Sequence, residues 1–192
     1  MRDTVRLAGT VEALGYHRFW VSEHHSVPGV AGSAPTVLAA AVAAATSTIR
    51  VGTGGVMLPN HQPLVVAEQF GVLASLFPGR MDMGWAVQWA LPTASAGRWD
   101  GTRRTPTASP TGWPSLGWID GSQQTYPQVH ARPAEGLPIP PYLLATGEGA
   151  AIAAATGLPW SSAIFEAGTS CCVQSRVTAR TSVLPCGPRI PT

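Results

Sequence analysis

The first half of the chain alternates between two hydrophobic rhythms. Residues 3–14 place Val5, Ala8, Val11 and Leu14 at helical spacing, which predicts an amphipathic helix stopped by Gly15. Phe19-Trp20-Val21 is a short, continuous apolar run, the mark of a buried strand. Residues 34–46 predict a second helix, with Ser33 as its N-cap and Pro35 in its first turn. Ile49–Leu58 reads as a strand, residues 63–76 as a third helix opening on Pro63, Pro78-Gly79 as a turn, and Met81–Met83 as the start of another strand. Helices and strands in strict succession argue for βα units around a parallel sheet. The succession opens on a helix, whereas a barrel of such units opens on a strand, so a first strand is expected to be missing.

The rhythm stops at Trp85. Five of the seven tryptophans fall between Trp85 and Trp118, among Thr, Ser, Pro and Arg, with no period of 2 or 3.6. About thirty residues of such chain fit no simple element. Order returns near Leu116. Pro138–Leu144 leads into Ala145-Thr146-Gly147-Glu148-Gly149 and an Ala-rich helix over Ala150–Thr156, and the pattern fails again after Trp160. The expected organisation is one barrel-like domain over 1–160, aberrant across 85–114, followed by an irregular tail over 161–192.

Composition narrows the function classes. Twelve basic and ten acidic side chains give a net charge of +2, too balanced to steer the chain to nucleic acid. No apolar run reaches the roughly 18 residues of a membrane span, and Met1-Arg2-Asp3-Thr4 begins no signal core. A cytoplasmic protein without nucleic-acid or membrane partners is the expectation. Cys171, Cys172 and Cys186 lack metal-ligand spacing.

Chemistry concentrates in three places. His24 and His25 follow the first strand in Trp20-Val21-Ser22-Glu23-His24-His25. An imidazole at a strand end can act as acid or base near neutrality; a His pair that merely packs in a loop is the alternative. Gly54 and Gly55 remove side chains where a strand can bulge beneath a ligand, or simply end a Gly-rich strand. Thr146-Gly147-Glu148-Gly149 follows a strand and opens a helix, where backbone N–H groups can hold a phosphate, although Glu148 sets a negative charge beside it. His61, after Pro59-Asn60, reads as a surface-loop residue, with pocket lining as the alternative. Metal binding by His24, His25, His61 and Glu23 is disfavoured, because adjacent histidines rarely chelate one ion.

In order and spacing, these segments resemble the bacterial luciferase-like flavin monooxygenase family. The resemblance rests on Leu14–His25, Ser33-Ala34-Pro35, Gly52–Pro59, Ala67-Glu68-Gln69-Phe70 and Pro78-Gly79-Arg80-Met81-Asp82. It returns in Thr125-Tyr126-Pro127-Gln128 and Leu143–Pro159. It implies an α/β fold, here an incomplete (β/α)8 barrel of the luciferase-like type, with FMN, or a deazaflavin, at the C-terminal strand ends. It implies a small-molecule substrate and O2, NAD(P)H as a source of reducing power, and a homodimer. It assigns proton handling to His24 and His25, a non-proline cis peptide to Gly54-Gly55, and the flavin phosphate to Thr146, Gly147 and Gly149. The Gly-Arg pair that follows the Asp-hydrophobic-Gly motif in the family is absent, since Met83-Gly84 runs into Trp85-Ala86-Val87.

Residues 85–106 and 162–192 can be read in the family pattern when each codon is started on the last base of its predecessor and the undetermined bases are chosen freely; true family variation in both segments is the alternative. Tryptophan has one codon, so Trp85-Ala86, Trp89-Ala90 and Trp99-Asp100 must each then encode Gly, as the family pattern requires. Cys171 and Cys172 become Leu, Met or Val, and an amphipathic helix emerges. On this reading the coding frame has slipped, and the cysteines and most of the tryptophans carry no chemistry.

Overall fold

The structure is a computed structural model that describes residues 1–86, 114–144, 160–166 and 169–175. Helix α1 (Arg2–Ala13) leads into strand β1 (Arg18–Val21), α2 (Pro35–Ala44) into β2 (Arg50–Thr53), and α3 (Pro63–Leu76) into β4 (Met81–Ala86). Between β2 and α3 lie the two-residue strand β3 (Val56–Met57) and a 3-10 turn (Leu58–Asn60). After β4 the described elements are α4 (Pro114–Asp120), β5 (Pro141–Leu144), β6 (Trp160–Glu166) and β7 (Thr169–Ser175). The sheet runs β1-β2-β4-β5-β6-β7, with β3 also paired to β4. Every pairing through β6 is parallel, and β6–β7 is antiparallel. A parallel sheet with helices between its strands is compatible with an incomplete α/β barrel.

Strand alternation divides the sheet's two faces. Val21, Val51, Met81, Met83, Trp85 and Leu143 belong to the core shared with Ala8 of α1, Val42 of α2 and Phe70 of α3. Asp82 and Gly84 alternate with these apolar residues of β4 and share the other face with Arg18, Trp20, Arg50 and Tyr142. Burying Phe70 and Trp85 completely removes the largest apolar areas from water and contributes about 2–3 kcal/mol for each such side chain. Arg80, in the turn before β4, reaches back to the end of α2. Its guanidinium donates to Ala43 O (3.2 Å), Thr46 O (3.0 Å) and Thr46 Oγ1 (2.7 Å), engaging carbonyls at and just beyond that helix end.

Several expectations shift. Leu14 falls outside the buried face of α1 and is 70% exposed, because it caps the helix instead of continuing it. Ser33 is not the N-cap of α2; Ala34 is, without a side-chain bond, and Pro35 supplies the pre-set first-turn geometry. The predicted strand 49–58 breaks at Gly54-Gly55 into β2 and β3. The chain stays regular through Trp85 and Ala86, which pair with Val56, Met57, Leu143 and Leu144. The next described element, α4, begins at Pro114, two residues before Leu116. Part of the tail expected to be irregular forms the β6–β7 pair, where Ile, Phe, Thr and Val favour strands without any visible alternation. The Ala-rich helix expected over 150–156 lies outside the described residues.

Candidate active site at the carboxyl ends of the strands

Two backbone ties assemble the site. Beyond β1 the chain continues to Glu23, and the Gly54 N–H donates to Val21 O at 2.7 Å, setting the Gly54-Gly55 pair beside the end of β1. The Gly54–Gly55 peptide bond is cis, in keeping with the resemblance. Gly55 lies so close to β4 that a Cβ there would sit 2.6 Å from the carbonyl carbon of Trp85 and 2.9 Å from Ala86 N. Any side chain is excluded by the neighbouring strand. Gly54 has more room: a Cβ there would meet Trp20 at 3.4 Å and Leu144 at 3.7 Å.

Glu23 is the centre of the site. Its side chain is buried. Oε1 accepts hydrogen bonds from His25 Nε2 at 2.7 Å and His61 Nε2 at 2.9 Å, with the Asn60 amide nitrogen at 3.5 Å. Oε2 accepts from the Met57 N–H at 2.8 Å. Burial alone would raise this pKa. The hydrogen bonds from His61 and His25, the Met57 N–H and the charge of His61 outweigh it, holding the carboxyl below its ordinary value of 4.5. The strand end after β1 and the turn after β3 are thereby fastened by one ionised group.

His25 is therefore in the cluster, with its side chain 30% exposed. His24 is not: its N–H donates to Gly32 O at 2.8 Å, closing the following loop, and its ring has no hydrogen-bond partner among the described residues. His61, read from sequence as a surface-loop residue, is only 32% exposed and shares the Glu23 oxygen with His25. The sequence set Glu23, His25 and His61 together only as a disfavoured metal site, with pocket lining as the alternative for His61. Their meeting as hydrogen-bond partners of one carboxylate was not legible, the one signal being the position of His61 shortly after the glycine pair. Thr146, Gly147 and Gly149 lie outside the described residues. Among the described residues no group of three or more His, Cys, Asp or Glu side chains could hold a metal ion.

A second polar group occupies the opposite ends of the strands. The buried Asp82 accepts from Arg50 Nε (2.8 Å) and Nη2 (2.5 Å) through Oδ1. Through Oδ2 it accepts from Arg18 Nε (3.0 Å) and Trp20 Nε1 (3.1 Å). Arg18 also donates to the Tyr142 hydroxyl at 3.0 Å and lies over its ring, while Trp20 packs on that ring with centroids 4.8 Å apart. Each carboxylate oxygen is satisfied, and this group holds β1, β2, β4 and β5 together.

The fold and the site fit an α/β-barrel enzyme with its reactive groups at the C-terminal face. The luciferase-like monooxygenase family pattern matches residues 1–170, and the chain belongs to that family. It is 40% identical to a luciferase-like monooxygenase of Escherichia coli over 165 residues, 83% of this chain and 47% of that protein. It is also 40% identical over 162 residues to YvbT of Bacillus subtilis, covering 83% of this chain and 48% of that one. The chain thus spans about half the length of the curated relatives it matches. Among solved structures, apo-MsnO8 superposes with a TM-score of 0.66 at 34% identity, covering 84% of this chain and 48% of that one. The oxygenating constituent of 3,6-diketocamphane monooxygenase from Pseudomonas putida, solved in complex with FMN, has a TM-score of 0.63 at 17% identity, over 84% of this chain and 51% of that one, and shows the fold alone.

Proposed function

We propose that the chain derives from, and retains the ring-side wall of, a flavin-dependent oxidoreductase that joins a reduced flavin, O2 and a small-molecule substrate. The observation that carries the reading is the buried Glu23 holding His25 and His61 beside the Gly54-Gly55 pair. The described residues fit one side of a flavin: Gly54 offers a side-chain-free surface, and the imidazoles offer donors and acceptors. FMN is the first choice of cofactor, a deazaflavin the alternative, and NAD(P)H the proposed source of reducing power. When bound, the flavin supplies the electrons. The protein's own part is to exclude side chains at Gly54-Gly55, to hold His25 by Glu23, and to accept or return a proton at the imidazoles. His24, whose ring has no hydrogen-bond partner among the described residues, remains a proposed proton donor. Thr146, Gly147 and Gly149 remain the proposed phosphate site.

Flavin titration of the full chain tests this. Quenching of FMN fluorescence with saturable binding, followed by O2 consumption that depends on reduced flavin, is the expected result. No binding of FMN or deazaflavin would defeat it.

The absence of the family's Gly-Arg pair after Gly84 favours a second reading, a fragment without catalysis. Its signature is folding without saturable flavin binding. We also propose a homodimer. α2 and α3 are apolar on nearly every side, with Val37, Val65, Val72 and Leu76 exposed, and a second copy would cover such residues. Sedimentation of the purified chain reads this directly.

A further inference from the structure

The contact set of Glu23 contains more information than its burial. Four donors meet two oxygens: His25 Nε2 and His61 Nε2 on Oε1, the Met57 N–H on Oε2, and the Asn60 amide more distantly on Oε1. An ionised carboxylate can only accept. Both imidazoles must then bring their proton on Nε2. Had Glu23 been protonated, its O–H would need an acceptor. Among the described residues the near ones are the imidazole Nε2 lone pairs, either of which would force its ring into the Nδ1–H form; the more distant one is the Asn60 amide, if turned to present its oxygen.

We propose that Glu23 is a positioning residue that fixes both His25 and His61 in the Nε2–H tautomer, leaving Nδ1 as the one lone pair on each ring. His61 thereby joins His25 as a proton acceptor of the site. Each ring is tethered by Nε2 and partly exposed. A proton taken up at Nδ1 forms an N–H bond there and leaves an imidazolium hydrogen-bonded to the ionised Glu23, which stabilises it. The role in a reaction rests on the flavin reading above; the tautomers do not.

Ring-nitrogen NMR on the full chain tests the proposal without any flavin. His25→Gln and His61→Gln assign the two sets of signals. At mildly alkaline pH, where neutral rings dominate, both residues are expected to show a protonated Nε2 and an unprotonated Nδ1. The Nδ1–H form at either residue in the wild-type chain overturns the proposal. Glu23→Leu removes the shared acceptor Oε1 from both rings, so at least one ring should show a mixture of Nε2–H and Nδ1–H forms. Retention of the single Nε2–H form by both rings in a folded Glu23→Leu protein also overturns it. If the tautomers are as stated and no flavin binds, the positioning role stands and the flavin reading falls.

Discussion

Arg50 grips Asp82 across the β2–β4 pair through two nitrogens on one oxygen, while Arg18 holds the other oxygen from β1. The carboxylate is fully buried and the two arginine side chains are 27% and 33% exposed. One acid thus neutralises part of two cations at the base of the sheet, where water reaches only the cations.

Replacing that acid should be costly. Asp82→Asn leaves two guanidiniums facing a neutral amide, and breaking such a buried arrangement costs about 3 kcal/mol when the arginines retain some solvent. Urea unfolding should show the loss as a lower midpoint. Arg50→Lys should be milder but still destabilising, since an ammonium cannot reproduce the two-nitrogen grip. An Asp82→Asn chain as stable as wild type would contradict the assigned role.

Glu12 makes acid sensitivity predictable. Its carboxylate accepts from the backbone N–H groups of Ser47, Thr48 and Ile49. The Ile49 and Thr48 bonds lead in lowering its pKa to about 2. A carboxyl depressed in the folded state stabilises that state above its unfolded pKa, and the contribution disappears as pH falls through the folded value. Stability should therefore decline from just above pH 4.5 down to about 2. Glu23, depressed in the same direction, adds to the same decline. Glu12→Gln should flatten the curve of stability against pH over that window, measured by thermal melts across a buffer series.

The strand glycines should differ sharply in tolerance. A Cβ on Gly84 would lie 1.9 Å from Thr53 O, a backbone atom with no freedom to retreat, whereas one on Gly54 meets its nearest neighbour at 3.4 Å. Gly84→Ala should lower the melting temperature markedly and Gly54→Ala far less. Equal effects would mean that the β2–β4 approach is looser than described.

Phe70 offers a check on the core. It is fully buried between α3 and the sheet, and truncation to alanine should cost about 3–5 kcal/mol. Chemical denaturation measures it, and a loss below about 1 kcal/mol would show that the core is not consolidated there.

The proposed frame slip has its own test. A chain with the frame restored across 85–106 and from 162 onward should bind FMN at least about tenfold more tightly than this one, a gain of about 1.4 kcal/mol. Equal affinity would show that the altered segments do not limit binding, and the same tryptophans in an unbroken frame of related intact genes would remove the premise.

Much of the scaffold could be read from sequence because local rules and packing agree there. α3 begins at Pro63 and ends at Leu76 as its pattern predicts. The glycine pair and His25 were found through motif spacing. Glu23 as the hydrogen-bond hub of His25 and His61 was not, since the sequence set these residues together only as a disfavoured metal site and their meeting depends on the segments after β1 and β3, which no periodicity encodes. The same limit explains Leu14, whose spacing continues a helix that backbone geometry has already ended.

The partners of Glu23 have one further property, their closeness along the chain. Met57 lies 34 residues away, Asn60 37 and His61 38. During synthesis, every group that ligates Glu23 has left the ribosome once residue 61 is out. The Glu23 cluster can thus be wired early, ahead of the distant pairings of β5 and β6, because loops this short close at small entropic cost.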